Sequence, residues 1–382
     1  MKKIQYMDGL RGLAAFIVVL NHFVLAFYPA LFFGSDAQNQ HVESFVSGSV
    51  FNIFYNGNFA VCIFFVLSGF VLSHKFFLQK NHEIITESAV KRYARLAIPV
   101  AVSVFLAFIL MKFSLFYNRE VSAISGSGWF GDFWNFKPNF LDALNQIFIR
   151  SFFADGSDYN SILWTIAFEF SGSFLVFGFL ALFGKIKNRY WAYLIVAAFF
   201  FQTYYLTFIL GILLSDLMAH KNMLIREFDK SKLIRTALLF TGLFLGSYPS
   251  GRAVTGTVYA FLEKPFLLNT SLTCHMLGAF LVIAVLLDSK RMQKIFSSRY
   301  LLFLGEISFA MYLLHFIILG SLTSFIFLKL DPHLPYLEAV LSSFVISIII
   351  IFCVSYFMYL YVDKKAVHFS KVLYNRIFKN ID

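Results

Sequence analysis

The sequence predicts an all-α integral membrane protein with about ten transmembrane helices and both termini cytoplasmic, and three observations carry that prediction. The 382 residues are 59% hydrophobic and 20% aromatic, with 52 Phe, and only 14% are charged, against ~25% in a soluble domain. Mean hydropathy is +0.72, and apolar runs long enough to cross a bilayer recur along the whole chain. Lys and Arg, which set a formal net charge of +11, gather in short stretches between those runs, as in loops facing anionic lipid. The excess charge therefore belongs to membrane topology and implies no nucleic-acid partner.

The runs fall at about 10–33, 53–74, 97–117, 160–183, 190–203, 204–219, 233–248, 271–287, 301–328 and 337–361. Lys2, Lys3 and Arg11 place the N-terminus inside. The loop from Gly34 to Asn52 carries neither Lys nor Arg and is expected outside, whereas Lys75, Lys80, Lys91, Arg92 and Arg95 mark the next one as inside. The segment 118–159 mixes both charge signs, and its Trp129 and Trp134 suggest an interfacial element on the outer side.

Thirty residues at 190–219 make a helix of about 45 Å, too long for one ordinary span and short for two. Loop charge settles the parity. Lys185, Lys187 and Arg189 are inside, and so are Lys221, Arg226, Lys230, Lys232 and Arg235. The chain must turn back between them, and Gln202-Thr203 is the expected break. Beyond it, 249–270 is outside, Lys290 to Arg299 inside, Asp331-Pro332 outside and the tail inside. Residues 1–363 thus form one membrane domain, and 364–382 a short basic cytoplasmic tail.

The first span is expected to be retained, because Asp8 and Arg11 interrupt its start and no small-residue cleavage site follows. No internal repeat is visible, and the run Ile346 to Phe352 reads as lipid-facing helix. Cys62, Cys274 and Cys353 fall within or beside apolar runs with no paired or metal-ligand spacing, so neither disulfide nor metal is expected.

Chemistry concentrates in a few ionisable residues within the spans. Arg11 and His22 stand eleven positions apart, which on a helix puts both on one face and roughly 16 Å apart along the axis. Arg11 would lie near the surface and His22 close to mid-bilayer, a layout suited to an extended anionic cofactor. The plainer alternatives are a snorkelling arginine and a packed histidine. Phe64 to Phe70 offers Ser68 and Gly69 for close helix approach. Arg92 and Arg95, three apart on one helix face, make a forked donor site for phosphate oxygens, or an ordinary positive-inside cluster. Glu169 is a carboxylate well inside a span, where it must be neutral, paired or facing water. Ser308, Tyr312 and His315 share a face of the ninth span, with His315 at mid-span in a direct role or an interhelical hydrogen bond.

Asp8-Gly9-Leu10-Arg11-Gly12-Leu13-Ala14-Ala15 with His22, Phe64 to Phe70, Arg92-x-x-Arg95, Leu163-Trp164 with Glu169, and Ser308 to His315 occur in that order. Together they resemble the acyltransferase-3 family of bacterial membrane acyltransferases, over essentially the whole chain. The resemblance implies a stand-alone inner-membrane O-acyltransferase. It would move acetyl from acetyl-coenzyme A, the acyl donor, to a hydroxyl of a cell-surface or lipid-linked sugar such as O-antigen, capsule or exopolysaccharide. No tightly bound cofactor is implied, and the oligomeric state is left open.

Carried over, the family's arginine–histidine pair falls on Arg11 and His22, and its double-arginine motif on Arg92 and Arg95. The arginines would hold coenzyme phosphates, and His22 would act as general base or carry the acyl group itself. Glu169 or His315 would orient its ring. Phe309 follows Ser308 where a tyrosine is more usual, so no hydroxyl role falls there. A transporter-like protein and a non-catalytic membrane protein are the competing classes. The missing repeat counts against the first and the intact Arg11, His22, Arg92 and Arg95 against the second.

Overall fold

The computed structural model describes residues 4–34, 41–154, 156–220, 232–263 and 267–379. Lys2, Lys3, Lys221, Arg226 and Lys230, on which part of the loop-charge reading rests, lie outside the described residues. Among those described, ten helices carry the apolar runs. They are α1 (Gln5–Phe27), α2 (Gly57–Gln79), α3 (Glu83–Lys112), α4 (Trp164–Phe183), α5 (Tyr190–Phe199), α6 (Tyr205–Ala219), α7 (Lys232–Gly246), α8 (Thr270–Asp288), α9 (Arg299–Ile318) and α10 (Tyr336–Met358).

Among the described residues, seven helical stretches are long and apolar enough to cross a membrane, containing α1, α2, α3, α4, α8, α9 and α10; α5 and α6 are shorter apolar helices. The protein is a polytopic membrane protein. Between α5 and α6 the chain turns at the expected break, where Gln202 takes a left-handed backbone with φ +59°. The α9 helix runs through a wide turn at Leu319–Thr323 into Ser324–Leu330, and α10 through another at Tyr359–Asp363 into Lys364–Phe378.

Side-chain caps start several helices. Asn56 accepts from Phe59 N at the head of α2, and Asn269 accepts from Leu272 N at the head of α8, each satisfying a backbone donor that hydrocarbon would otherwise strand.

The chain divides into two compact units. The first comprises Met1–Ala14, Gly48–Arg92 and Phe168–Gly305; the second Ala15–Ser47, Tyr93–Ala167 and Glu306–Asp382. In the first, α2 and α6 meet backbone to backbone: a Cβ on Gly69 would strike the main chain of Phe208, and one on Gly211 that of Val66 and Phe70. Lipid offers no hydrophobic drive for helix pairing, so close approach must supply it. The glycines of the first motif work likewise. Gly9 lies against the carbonyl of Phe296, and Gly12 and Gly305 place α1 against the start of α9.

In the second unit, α10 buries a stripe of small residues, Ser343, Ser347 and Ser355, with Ile351 among them. Thr323 donates to the Ser347 hydroxyl at 2.7 Å. The other face of α10 is apolar and exposed, with Val345, Ile346 and Ile349 outward, in keeping with a lipid-facing helix. Phe27, Phe327 and Tyr336 pack edge to face near its head, and Tyr336 donates to the carbonyl of Phe27 at 2.5 Å.

Candidate active site

Two of the three ionisable residues expected at the reaction centre meet in the second unit. His22 Nδ1 lies 2.8 Å from His315 Nε2, and His315 Nδ1 lies 3.0 Å from the carbonyl oxygen of Met311. Burial leaves His315 1% exposed, so its ring must satisfy itself within the protein. A carbonyl only accepts, which makes Nδ1 of a neutral His315 the protonated nitrogen and Nε2 its acceptor. His22 must then donate from Nδ1, and its Nε2 keeps the lone pair. The tautomers follow from this chain of partners.

Aromatic rings fix the His22 ring further. The Trp129 ring lies nearly parallel to it at 5.7 Å and 8°, and the His315 ring, joined to it edge to edge by the hydrogen bond, is nearly parallel at 5.0 Å and 14°. Phe316, fully buried, closes the cluster at 5.1 Å from His22 and 5.6 Å from Trp129. Trp129 sits on the short helix Gly128–Gly131, whose cap Ser127 donates to the carbonyl of Leu25 on α1 at 2.6 Å. Tyr312, one turn before His315, bonds to Thr165 at 2.7 Å and to the carbonyl of Ile162 at 3.2 Å. Asn160 donates to the carbonyl of Leu313 at 2.9 Å. The α9 segment bearing His315 is therefore held on several sides.

In the first unit, Glu169 is a paired carboxylate. It accepts from the Ser68 hydroxyl at 2.6 Å and forms an ion pair with Arg92. Ser68 thus differs from the packing role expected of it: Gly69 does the packing, and Ser68 joins the ion pair. Arg92 and Arg95 do not share an environment either. Arg92 is buried at 7% exposure, while Arg95, a 100° step times three further along α3, is exposed. Arg11 is half-buried, with Asp8 at 3.6 Å one turn earlier.

A family model described as an acyltransferase domain matches residues 4–360. The chain belongs to the acyltransferase-3 family. Among curated proteins similar to it is the O-acetyltransferase PaAT-1 of Phomopsis amygdali, 24% identical, covering 98% of this chain and 85% of that protein. Acyltransferase clz18 of Cochliobolus lunatus is 24% identical, and acyltransferase R4 of a Phoma species 22%, each covering 83% of this chain and 82% of its own length. No solved structure matches.

Within this acyltransferase, the structure brings His22 to His315, and Arg92 to Glu169 and Ser68. Trp129 is the residue of the cluster that sequence reasoning took for an interfacial anchor. Its spacing from His22, more than a hundred residues, carries no periodic signal; only the folded chain reveals the stack.

Proposed function

We infer that this acyltransferase transfers acetyl from cytoplasmic acetyl-coenzyme A to a hydroxyl acceptor, with His22 as general base. The hydrogen-bond chain from Met311 through His315 to His22 carries this reading, because it leaves the basic lone pair on His22 Nε2. That nitrogen takes the proton of the acceptor hydroxyl as its oxygen attacks the thioester carbonyl. The carbon–sulfur bond then breaks, and the imidazolium returns the proton to the departing thiolate. His315 positions the ring and accepts from Nδ1–H, a bond that strengthens as His22 becomes cationic. The relative named an O-acetyltransferase supports oxygen as the acceptor atom.

Arg95, exposed on α3, and Arg11 are the proposed contacts for coenzyme phosphate. Arg92 is buried and ion-paired with Glu169, and its proposed role is to fix the helix that bears Arg95. The acceptor class, a cell-surface or lipid-linked sugar, and the bacterial inner-membrane setting rest on the family resemblance of the motifs. So does an arrangement of ten spans with both termini in the cytoplasm, which loop charge also supports.

The test is acetyl transfer by purified protein in nanodiscs, read as thiol release with acetyl-coenzyme A, together with mass spectrometry of surface glycans from deletion and complemented strains. His22→Ala should insert, bind the donor and transfer nothing. Near-normal transfer by that variant would remove His22 from the chemistry. Sidedness is checked by membrane-impermeant labelling of Phe45→Cys and Lys75→Cys in a Cys353→Ser background, since Cys353 is exposed and Cys62 and Cys274 are buried. Labelling of residue 75 but not residue 45 from outside would reverse the orientation.

A further inference from the structure

The α4–α5 hairpin of the first unit carries a groove of about 430 Å³, lined throughout by apolar residues that include Phe174, Gly178, Leu182, Ile195 and Phe199. Its origin is a mismatch of lengths. Ten residues of α5 rise about 15 Å, half of a ~30 Å hydrocarbon core, so α5 leaves much of the neighbouring α4 face uncovered. Gly178 deepens the gap. Most helical glycines of this chain press on another backbone or ring, but a Cβ on Gly178 would meet nothing within 4 Å. A glycine weakens a helix interior, and here no close packing compensates for it; what it provides is room.

The groove ends at Leu182 and Phe183, and the chain leaves it through Lys185 and Lys187, both exposed. The third cation of that loop, Arg189, is buried and bonded twice to Asp216 at 2.5 Å. Two lysines at the mouth of an apolar groove, at the membrane surface, complement one molecule with an anionic head and a hydrocarbon tail.

We propose that the α4–α5 groove is a binding site for a bilayer phospholipid of anionic headgroup, one acyl chain lying along Gly178 and the phosphate meeting Lys185 and Lys187. The groove shares no residue with the proposed acyl-transfer set, and the lipid is a resident ligand and not a substrate. Its tail restores the hydrocarbon contact that α5 is too short to make.

Native mass spectrometry of the detergent-purified, delipidated protein tests this, with phosphatidylglycerol and phosphatidylcholine of matched acyl chains titrated back. The wild-type protein should take up one phosphatidylglycerol in preference to phosphatidylcholine. Gly178→Leu fills the groove with a better helix former and should weaken both lipids by about tenfold or more. Ile195→Trp, an exposed position on the rim, serves the same purpose should the leucine variant not fold. Lys185→Gln with Lys187→Gln should spare phosphatidylcholine and cost phosphatidylglycerol roughly 25-fold, about fivefold per lysine. Unchanged phosphatidylglycerol binding in the groove-filling variants would overturn the proposal. So would conversion of a dimer to a monomer by those variants with the lipid count unaltered, since that result seats a second copy of the chain in the groove.

Discussion

His22 and His315 lie 293 positions apart in the chain and share a 2.8 Å nitrogen–nitrogen hydrogen bond with nearly parallel rings. Because the far side of His315 is bonded to the Met311 carbonyl, protonation of His22 at Nε2 leaves every partner of the pair correctly paired. His315 should therefore act through His22. His315→Ala is expected to lower kcat within the ~10²–10⁴-fold span of general-base catalysis, by less than His22→Ala, with little change in the KM for acetyl-coenzyme A. His315→Gln, which can still accept from Nδ1–H, should recover part of the loss. Steady-state kinetics over a donor series decides it; a KM effect alone would make His315 a binding residue.

Trp129 should behave as a positioning residue. Trp129→Ala removes the ring that lies parallel to His22, and is expected to lower kcat with little change in the KM for acetyl-coenzyme A, alongside a stability loss of up to about 3–5 kcal/mol from the emptied aromatic cluster. Trp129→Phe keeps a stacking face and should retain most activity. The pH–rate profile gives a separate readout, because a ring free to rotate loses its fixed tautomer.

The Arg92–Glu169 pair predicts a stability effect. Removing one partner of a largely buried pair strands the other charge, at a cost of up to about 3 kcal/mol for a Glu169 that is partly exposed and keeps its Ser68 bond, whereas an apolar pair of similar size is often neutral. Arg92→Ala should lower the thermal midpoint of the purified protein, and Arg92→Met with Glu169→Leu should restore most of it. Equal losses in the single and double variants would show that the ion pair itself carries little.

Arg95 predicts a binding effect instead. A charge-assisted phosphate contact is worth about 1.5–3 kcal/mol, or ~10–150-fold in affinity, so Arg95→Ala should raise the KM for acetyl-coenzyme A on that order. Arg95→Lys should rescue in part, since a point charge lacks the forked geometry. Excess donor should recover the rate of the Arg95 variant and not that of His22→Ala. An unchanged KM would reduce Arg95 to a topology signal.

Much of the helix framework is legible in the sequence because hydrocarbon enforces it. Each of the ten apolar runs contains a helix, and the break at Gln202 follows from the loop charge on either side of 190–219. His22 and His315 stand out as ionisable residues well inside apolar runs. What the sequence withholds is pairing. Glu169 could be read as buried and needing a partner, but not that Arg92 and Ser68 supply it, because helical periodicity orders residues only along one helix. Arg92 and Arg95 illustrate the limit: a shared face by spacing became one buried and one exposed guanidinium through the neighbour that α3 happens to meet. Trp129 fails for a related reason, lying in a short irregular segment with no period at all.

The backbone contacts of Gly9 and Gly12 bear on how mutational scans of this protein should be interpreted. A side chain at either position would push α1 away from Phe296, Leu304 and Gly305, displacing the helix that carries Arg11 and His22. An activity screen should score such variants as dead and rank both glycines beside His22, the proposed base, although their effect would come through helix packing. Pairing each activity value with the amount of folded protein in the membrane sorts the two kinds of loss: His22→Ala should be abundant and silent, Gly12→Val scarce.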